Sequence, residues 1–189
     1  MEYILIIELA ILITMVLIRS ALLRRKGINA IVFGDTDKTD FFLLPVVLCF
    51  FYGILAPIFN FPMPEILQMP FWNYDILTYL AIILCTICLI WFAITLKAFG
   101  DSFRVGIDEN TTDELITTST FGLSRNPIYV AFIAFFLGIF ISYPTFVTIL
   151  FLIFLTIMIR RQISREEEFL KSHYGKEYEE YCANVRRYI

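Results

Sequence analysis

Charge is scarce in this chain. Only 17% of its 189 residues are Asp, Glu, Lys or Arg, while 59% are hydrophobic and 17% aromatic, and the mean hydropathy is +0.75. Water-soluble domains carry about 25% charged residues, so there is too little charge here to coat a globular surface, and the composition points to a membrane protein. Glycine (8) and proline (7) are too few and too dispersed to form a linker, and no internal repeat is visible. The length therefore suits a single domain over residues 1–189. One histidine, His173, leaves no Cys/His cluster for a metal, so no metal site is expected. Cys49, Cys85 and Cys88 lie in apolar runs and Cys182 in a charged tail, which is no disulfide framework. Cys85 and Cys88 form a C-x-x-C without a second pair or a nearby His, and read as small hydrophobes. A formal net charge of −3 and a pI near 5.2 argue against a nucleic-acid partner.

What is abundant is long apolar sequence. A helix needs about 20 apolar residues to cross a hydrocarbon core about 30 Å thick. Residues 41–59 and 76–96 meet that requirement without a single charge, although Pro45 and Pro57 punctuate the first. Residues 3–18 form a third span, broken only by Glu8 and followed by Arg19, Arg24, Arg25 and Lys26. Because these basic residues follow the apolar stretch, it reads as an anchored helix rather than a cleaved signal. Glu8 lies either near the outer interface or at a functional position. Residues 127–159 are apolar except at Ser142-Tyr143-Pro144, turn formers that predict a helical hairpin with arms 128–141 and 145–159. The expected fold is all-α, a bundle of about five membrane-spanning helices ending in this hairpin and an amphipathic tail helix.

Loop charge sets the expected orientation. With an external N-terminus and five spans, segments 19–40, 97–126 and 160–189 face the cytoplasm, and these hold all 15 Lys and Arg. The opposite loops carry only Glu65 and Asp75. Any chemistry is then expected at the cytoplasmic face. A helical hairpin returns both of its ends to one side, so residues 115–129 and 160–168 are expected to share a cleft at its mouth. In the tail, Leu170, Tyr174, Tyr178, Tyr181, Val185 and Tyr188 recur at helical spacing, which predicts a helix lying on the membrane or covering the site, with Gly175 as a point of interruption.

The ordered set Leu115-Ile116-Thr117, Phe121, Arg125-Asn126-Pro127-Ile128-Tyr129, Arg165-Glu166-Glu167 and Tyr174-Gly175-Lys176-Glu177-Tyr178-Glu179-Glu180-Tyr181 resembles the isoprenylcysteine carboxyl methyltransferase family. That family belongs with the phospholipid methyltransferases among membrane enzymes that use S-adenosylmethionine, and the resemblance covers roughly residues 76–189. It implies that the backbone at Leu115, Ile116 and Thr117 surrounds the cofactor and that Phe121 packs on it. It further implies that Asn126, Pro127, Tyr129 and Glu166 contact it. Three positions depart from the family pattern: Asn126 stands for a His, Phe121 for a Tyr, and Gln162 for the Arg that orients the substrate, leaving Arg161 and Arg165 as its nearest replacements.

The chemistry is consistent with these residue types. S-adenosylmethionine combines an adenine ring, a ribose, an amino acid and a sulfonium, which call for aromatic surface, a carboxylate and a cation. Phe121, Tyr129, Asn126, Glu166 and Arg125 offer them. A lipophilic acceptor is expected to enter from the bilayer, with membrane lipids as partners. A carboxylate acceptor would need only orientation by Arg161 or Arg165, whereas an amine would need a base, Glu167 or Glu166. Two other readings stand beside this one: a sterol-reductase-like enzyme using NADPH, and a non-catalytic membrane scaffold or lipid-binding protein. Plainer roles are also open to single residues, with Arg125 a charge at a helix end, the tyrosine stripe interfacial packing and His173 a polar-face residue.

Overall fold

The computed structural model describes residues 2–26, 43–100 and 115–189. The expected inner segments 19–40 and 97–126, and the start of the span predicted at 41–59, fall partly outside these residues. Among the described residues every regular element is helical: α1 (Glu2–Arg25), α2 (Leu43–Phe59), the short α3 (Glu65–Gln68), α4 (Asp75–Phe99), a 3-10 turn (Ser119–Gly122), α5 (Pro127–Ser142), α6 (Phe146–Tyr174) and α7 (Lys176–Asn184). Three helices, Tyr3–Arg25, Asp75–Phe99 and Phe146–Tyr174, are long and apolar enough to cross a membrane. Two more, Leu44–Phe59 and Pro127–Ser142, are apolar but shorter.

Many large aliphatic residues of the bundle face outward. On α4, Ile76, Leu80, Ile83, Ile87, Ile90 and Ile94 form an exposed stripe at helical spacing, while Ala81, Cys85, Cys88 and Phe92 on the opposite face are buried. Leu150, Ile153 and Ile157 of α6 are likewise exposed. Contiguous apolar surface of this extent is unfavourable in water and natural against hydrocarbon. The interior mixes leucines such as Leu9, Leu12 and Leu89 with packed rings: Phe50 of α2 stacks on Phe151 of α6 at 4.0 Å, and Phe136 of α5 meets both edge-on.

Contacts between helices fix their relative directions. Glu8 accepts a hydrogen bond from Thr86 at 2.5 Å, and Arg19 donates to the Gly100 carbonyl, so α1 and α4 run in parallel. Against α4 the next helix is antiparallel, since Cys85 reaches the Phe135 carbonyl and Trp91 the Pro127 carbonyl. Here Gly138 is required by space, because a Cβ on it would lie 2.5 Å from Cys85 Sγ and 3.4 Å from the Ala81 carbonyl. Antiparallel α2 and α6 pair Gly53 with Val147 and Phe50 with Phe151. The five long helices thus alternate in direction along the chain.

The hairpin forms where the turn residues predicted it. Its first arm, α5, stops at Ser142, and Thr145 caps α6 by accepting from the Thr148 backbone N–H while the Thr148 hydroxyl accepts from that of Thr145. The loop before α4 seats against this turn, with Phe71 N–H donating to the Pro144 carbonyl and Trp72 to the Ile141 carbonyl. Two elements differ from expectation. The second arm does not end at residue 159 but runs without a break to Tyr174, so that the spanning stretch and the polar stretch from Arg160 onward are one rigid helix. The tail is not one helix either: Gly175, at φ +55, ends α6 and begins α7, which itself stops at Asn184. A residue without a Cβ takes that left-handed conformation at little cost, and the chain turns back there.

Candidate functional site at the mouth of the hairpin

Pro127 occupies the first position of α5, where its missing N–H costs nothing. The entry is braced on both sides: the Asn126 N–H donates to Ser124 Oγ, and Trp91 of α4 donates to the Pro127 carbonyl. Tyr129 therefore sits one turn into α5, facing the part of α6 that lies beyond its apolar stretch. Its hydroxyl donates to Glu166 Oε1 at 2.6 Å. Gln162, one turn earlier on α6, donates to the same oxygen at 2.7 Å, and Arg165 donates to the Gln162 side-chain Oε1. The amide of Gln162 thus relays the Arg165 cation to the Glu166 carboxylate, a role that sequence reasoning missed by noting only the absence of an arginine. Glu166 is past Ile159, where the apolar stretch of α6 ends, and burial pushes its carboxyl above the ordinary value against the pull of Tyr129, Gln162 and Arg165.

Glu167 belongs to a second network. Its Oε1 accepts from Arg125 Nη2 at 3.2 Å and from Asn126 Nδ2 at 3.3 Å, and its Oε2 pairs with Arg187. The Arg125 and Glu167 side chains are 14% and 12% exposed, so this ion pair is well shielded from water. Arg125 Nε also donates to Glu167 Oε1, at 3.4 Å. The other Arg125 donors go to the C-terminal strap, residues 181–189, which comprises the end of α7 and the chain beyond it: Nη1 to the Cys182 and Val185 carbonyls at 3.2 and 2.8 Å, and the backbone N–H to the Arg186 carbonyl at 2.9 Å. Ser124 and Asn126 both donate to the Arg187 carbonyl. Farther up, the Tyr181 hydroxyl donates to the Phe121 carbonyl at 2.7 Å, and burial raises that phenol to about 12. Burial likewise raises Tyr178.

Of the residues singled out from sequence, Arg125, Asn126, Pro127, Tyr129, Glu166, Glu167 and Arg165 converge here, joined by Gln162. Phe121 is buried with its ring edge-on to Phe99 of α4 at 5.0 Å. Leu115 and Ile116 are half-buried and Thr117 is exposed, leading in non-helical backbone to the 3-10 turn. Arg161 is exposed on α6. Sequence did not reveal Ser124 and Arg187, whose side chains act here from an unremarkable polar loop and tail, or the carbonyls of 182–187, which as backbone atoms leave no mark on residue type.

Comparison with known proteins places this geometry in context. The sequence matches the phospholipid methyltransferase family over residues 73–177, more than half of the chain and inclusive of both networks apart from the strap. It is also similar to 7-dehydrocholesterol reductase of Arabidopsis thaliana, 31% identical over 101 residues, which make up 52% of this chain and 23% of the reductase. The chain thus spans about a quarter of that relative's length. No solved structure matches it. With three apolar helices of spanning length and a family match running from the start of α4 into α7, the chain belongs to the phospholipid methyltransferase family.

Proposed function

We propose that this protein is an S-adenosylmethionine-dependent methyltransferase that works at the cytoplasmic face of a membrane on a lipophilic acceptor. The observation that carries this reading is the junction of Tyr129 and Glu166 at 2.6 Å, at the polar end of two apolar helices and within the family-matched residues. The side chains suit the cofactor: the Glu166 carboxylate and Tyr129 hydroxyl can bind hydroxyl or ammonium groups, and the Leu115, Ile116, Thr117 and Phe121 segment offers backbone and aromatic surface. When bound, S-adenosylmethionine supplies an electrophilic methyl group. The chain's own task is then orientation, which can be worth about 7–11 kcal/mol when reacting atoms are held in line.

The two networks divide that work. Glu166, accepting from Tyr129 and Gln162, belongs to the cofactor's side of the site, and for an amine acceptor the candidate bases are Glu167 and Glu166. Glu167, already accepting from Arg125, Asn126 and Arg187, holds the frame. For a carboxylate acceptor, Arg165 and Arg161 are the orienting cations. The acceptor enters sideways between helices, with its apolar part in the hydrocarbon that the exposed stripes of α4 and α6 already face.

A reductase-like reading is favoured by the 31% identity to 7-dehydrocholesterol reductase. Calorimetry on the detergent-solubilised chain separates the two. Binding of S-adenosylmethionine without NADPH is expected; NADPH binding alone supports the reductase, and binding of neither supports a scaffold. Methyl-labelled cofactor incubated with membrane extract is expected to yield a labelled lipid, and failure to label any component counts against the enzyme.

A further inference from the structure

The last residues of the chain fold back over the start of α5, and they do so through one carboxylate. Glu167 projects from α6 between Arg125 and Asn126 on one side and Arg187 on the other. Arg125 in turn spends its remaining donors on carbonyls of residues 182, 185 and 186. The Asn126 amide is shared between Glu167 and the Arg187 carbonyl, at 3.3 and 3.2 Å. Asn126 immediately precedes α5 and is buried, so its orientation, and that of the first turn carrying Tyr129, depends on groups supplied by the strap. Gly175 provides the reversal that lets α7 deliver the strap to this place.

We infer that Arg187 is a positioning residue of the cofactor site: its ion pair with Glu167 latches the C-terminal strap over residues 124–126, and the latched strap sets Asn126 and the start of α5 for S-adenosylmethionine. This inference rests on the methyltransferase reading above. The Arg187 side chain is 46% exposed, so truncating it leaves the bundle interior intact. Its ionic partner is shielded, which gives the single contact leverage over the network.

The test uses the full chain in detergent. Arg187→Ala is expected to weaken S-adenosylmethionine binding about tenfold, Arg187→Lys to restore most of it because one cationic donor suffices for Glu167 Oε2, and the bundle melting temperature to stay at the wild-type value in both. A second readout needs no cofactor. In a Cys49→Ser background, Cys182, on the strap, is expected to react with a maleimide several-fold faster in Arg187→Ala than with Arg187 intact. Wild-type affinity in Arg187→Ala, equal losses in the Ala and Lys variants, or a loss that tracks a fall in bundle melting overturns the inference. Should the wild-type chain bind no S-adenosylmethionine, the methyltransferase reading fails by itself, and an unchanged Cys182 rate in Arg187→Ala removes the latch as well.

Discussion

Glu166 and Glu167 are consecutive residues of α6 with separate sets of partners. The first accepts from Tyr129 and Gln162, the second from Arg125, Asn126 and Arg187. Successive positions on a helix point about 100° apart, so an adjacent pair of carboxylates can reach both the α5 face and the C-terminal strap from one turn. This division makes the two positions separable by mutation.

Replacing Glu166 by Ala, or Tyr129 by Ala, is expected to lower S-adenosylmethionine affinity while the bundle still melts cooperatively. Hydrogen bonds to charged groups contribute about 1.5–3 kcal/mol, roughly a 10- to 100-fold change in binding. Titration calorimetry of each variant reads this directly; wild-type affinity in both removes these residues from the cofactor site.

Glu167→Ala has a different expected signature. It leaves Arg125 shielded from water without its carboxylate, and breaking a buried pair by removing one partner costs about 3–5 kcal/mol, with the lower end apt for side chains still 12–14% exposed. Denaturant unfolding in detergent should show a midpoint lowered further for Glu167→Ala than for Glu166→Ala, which strands neutral donors at Tyr129 and Gln162 rather than a shielded cation. Equal midpoints would contradict the frame-holding role.

At Gly138 the α4 and α5 backbones approach too closely for a side chain, and a Cβ there would meet Cys85 Sγ. Gly138→Ala is expected to destabilise the bundle by about 1–3 kcal/mol, as overpacking of filled cores does. Adding Cys85→Ala should recover a large part of that loss, since it removes the clashing atom. An additive double mutant is the outcome that fails this account.

Alkali should loosen the strap. Tyr181 donates to the Phe121 carbonyl, which only the neutral phenol can do, and its value is raised from 10.0 to about 12. Because the folded value lies above the unfolded one, the stabilisation is complete below pH 10 and is lost as pH rises toward 12. Maleimide reaction at Cys182, corrected for the thiol's own ionisation with a model peptide, should accelerate across that window. Tyr181→Phe should show no such step.

Sidedness can be checked with single exposed cysteines in an otherwise Cys-free chain. In right-side-out vesicles an impermeant maleimide should label Glu65→Cys and spare Lys176→Cys. The reverse pattern would place the candidate site on the outside.

The sequence alone specified the class of this protein. Long charge-free runs must become helices in hydrocarbon, where backbone groups find no water, and the Ser142-Tyr143-Pro144 break made the hairpin legible. The motif residues Arg125, Asn126, Tyr129, Glu166 and Glu167 were legible because their types are uncommon beside apolar helices. Tertiary structure decided how they pair. Nothing in residue order tells which of two neighbouring carboxylates meets Tyr129 and which meets Arg125, because that depends on the rotation of α6 against α5. The unbroken run of α6 through Arg160 and the seating of the strap on the start of α5 were likewise settled in three dimensions, because backbone carbonyls of residues 182–187 and the distant Arg187–Glu167 pair hold it there, and residue order does not show which groups meet.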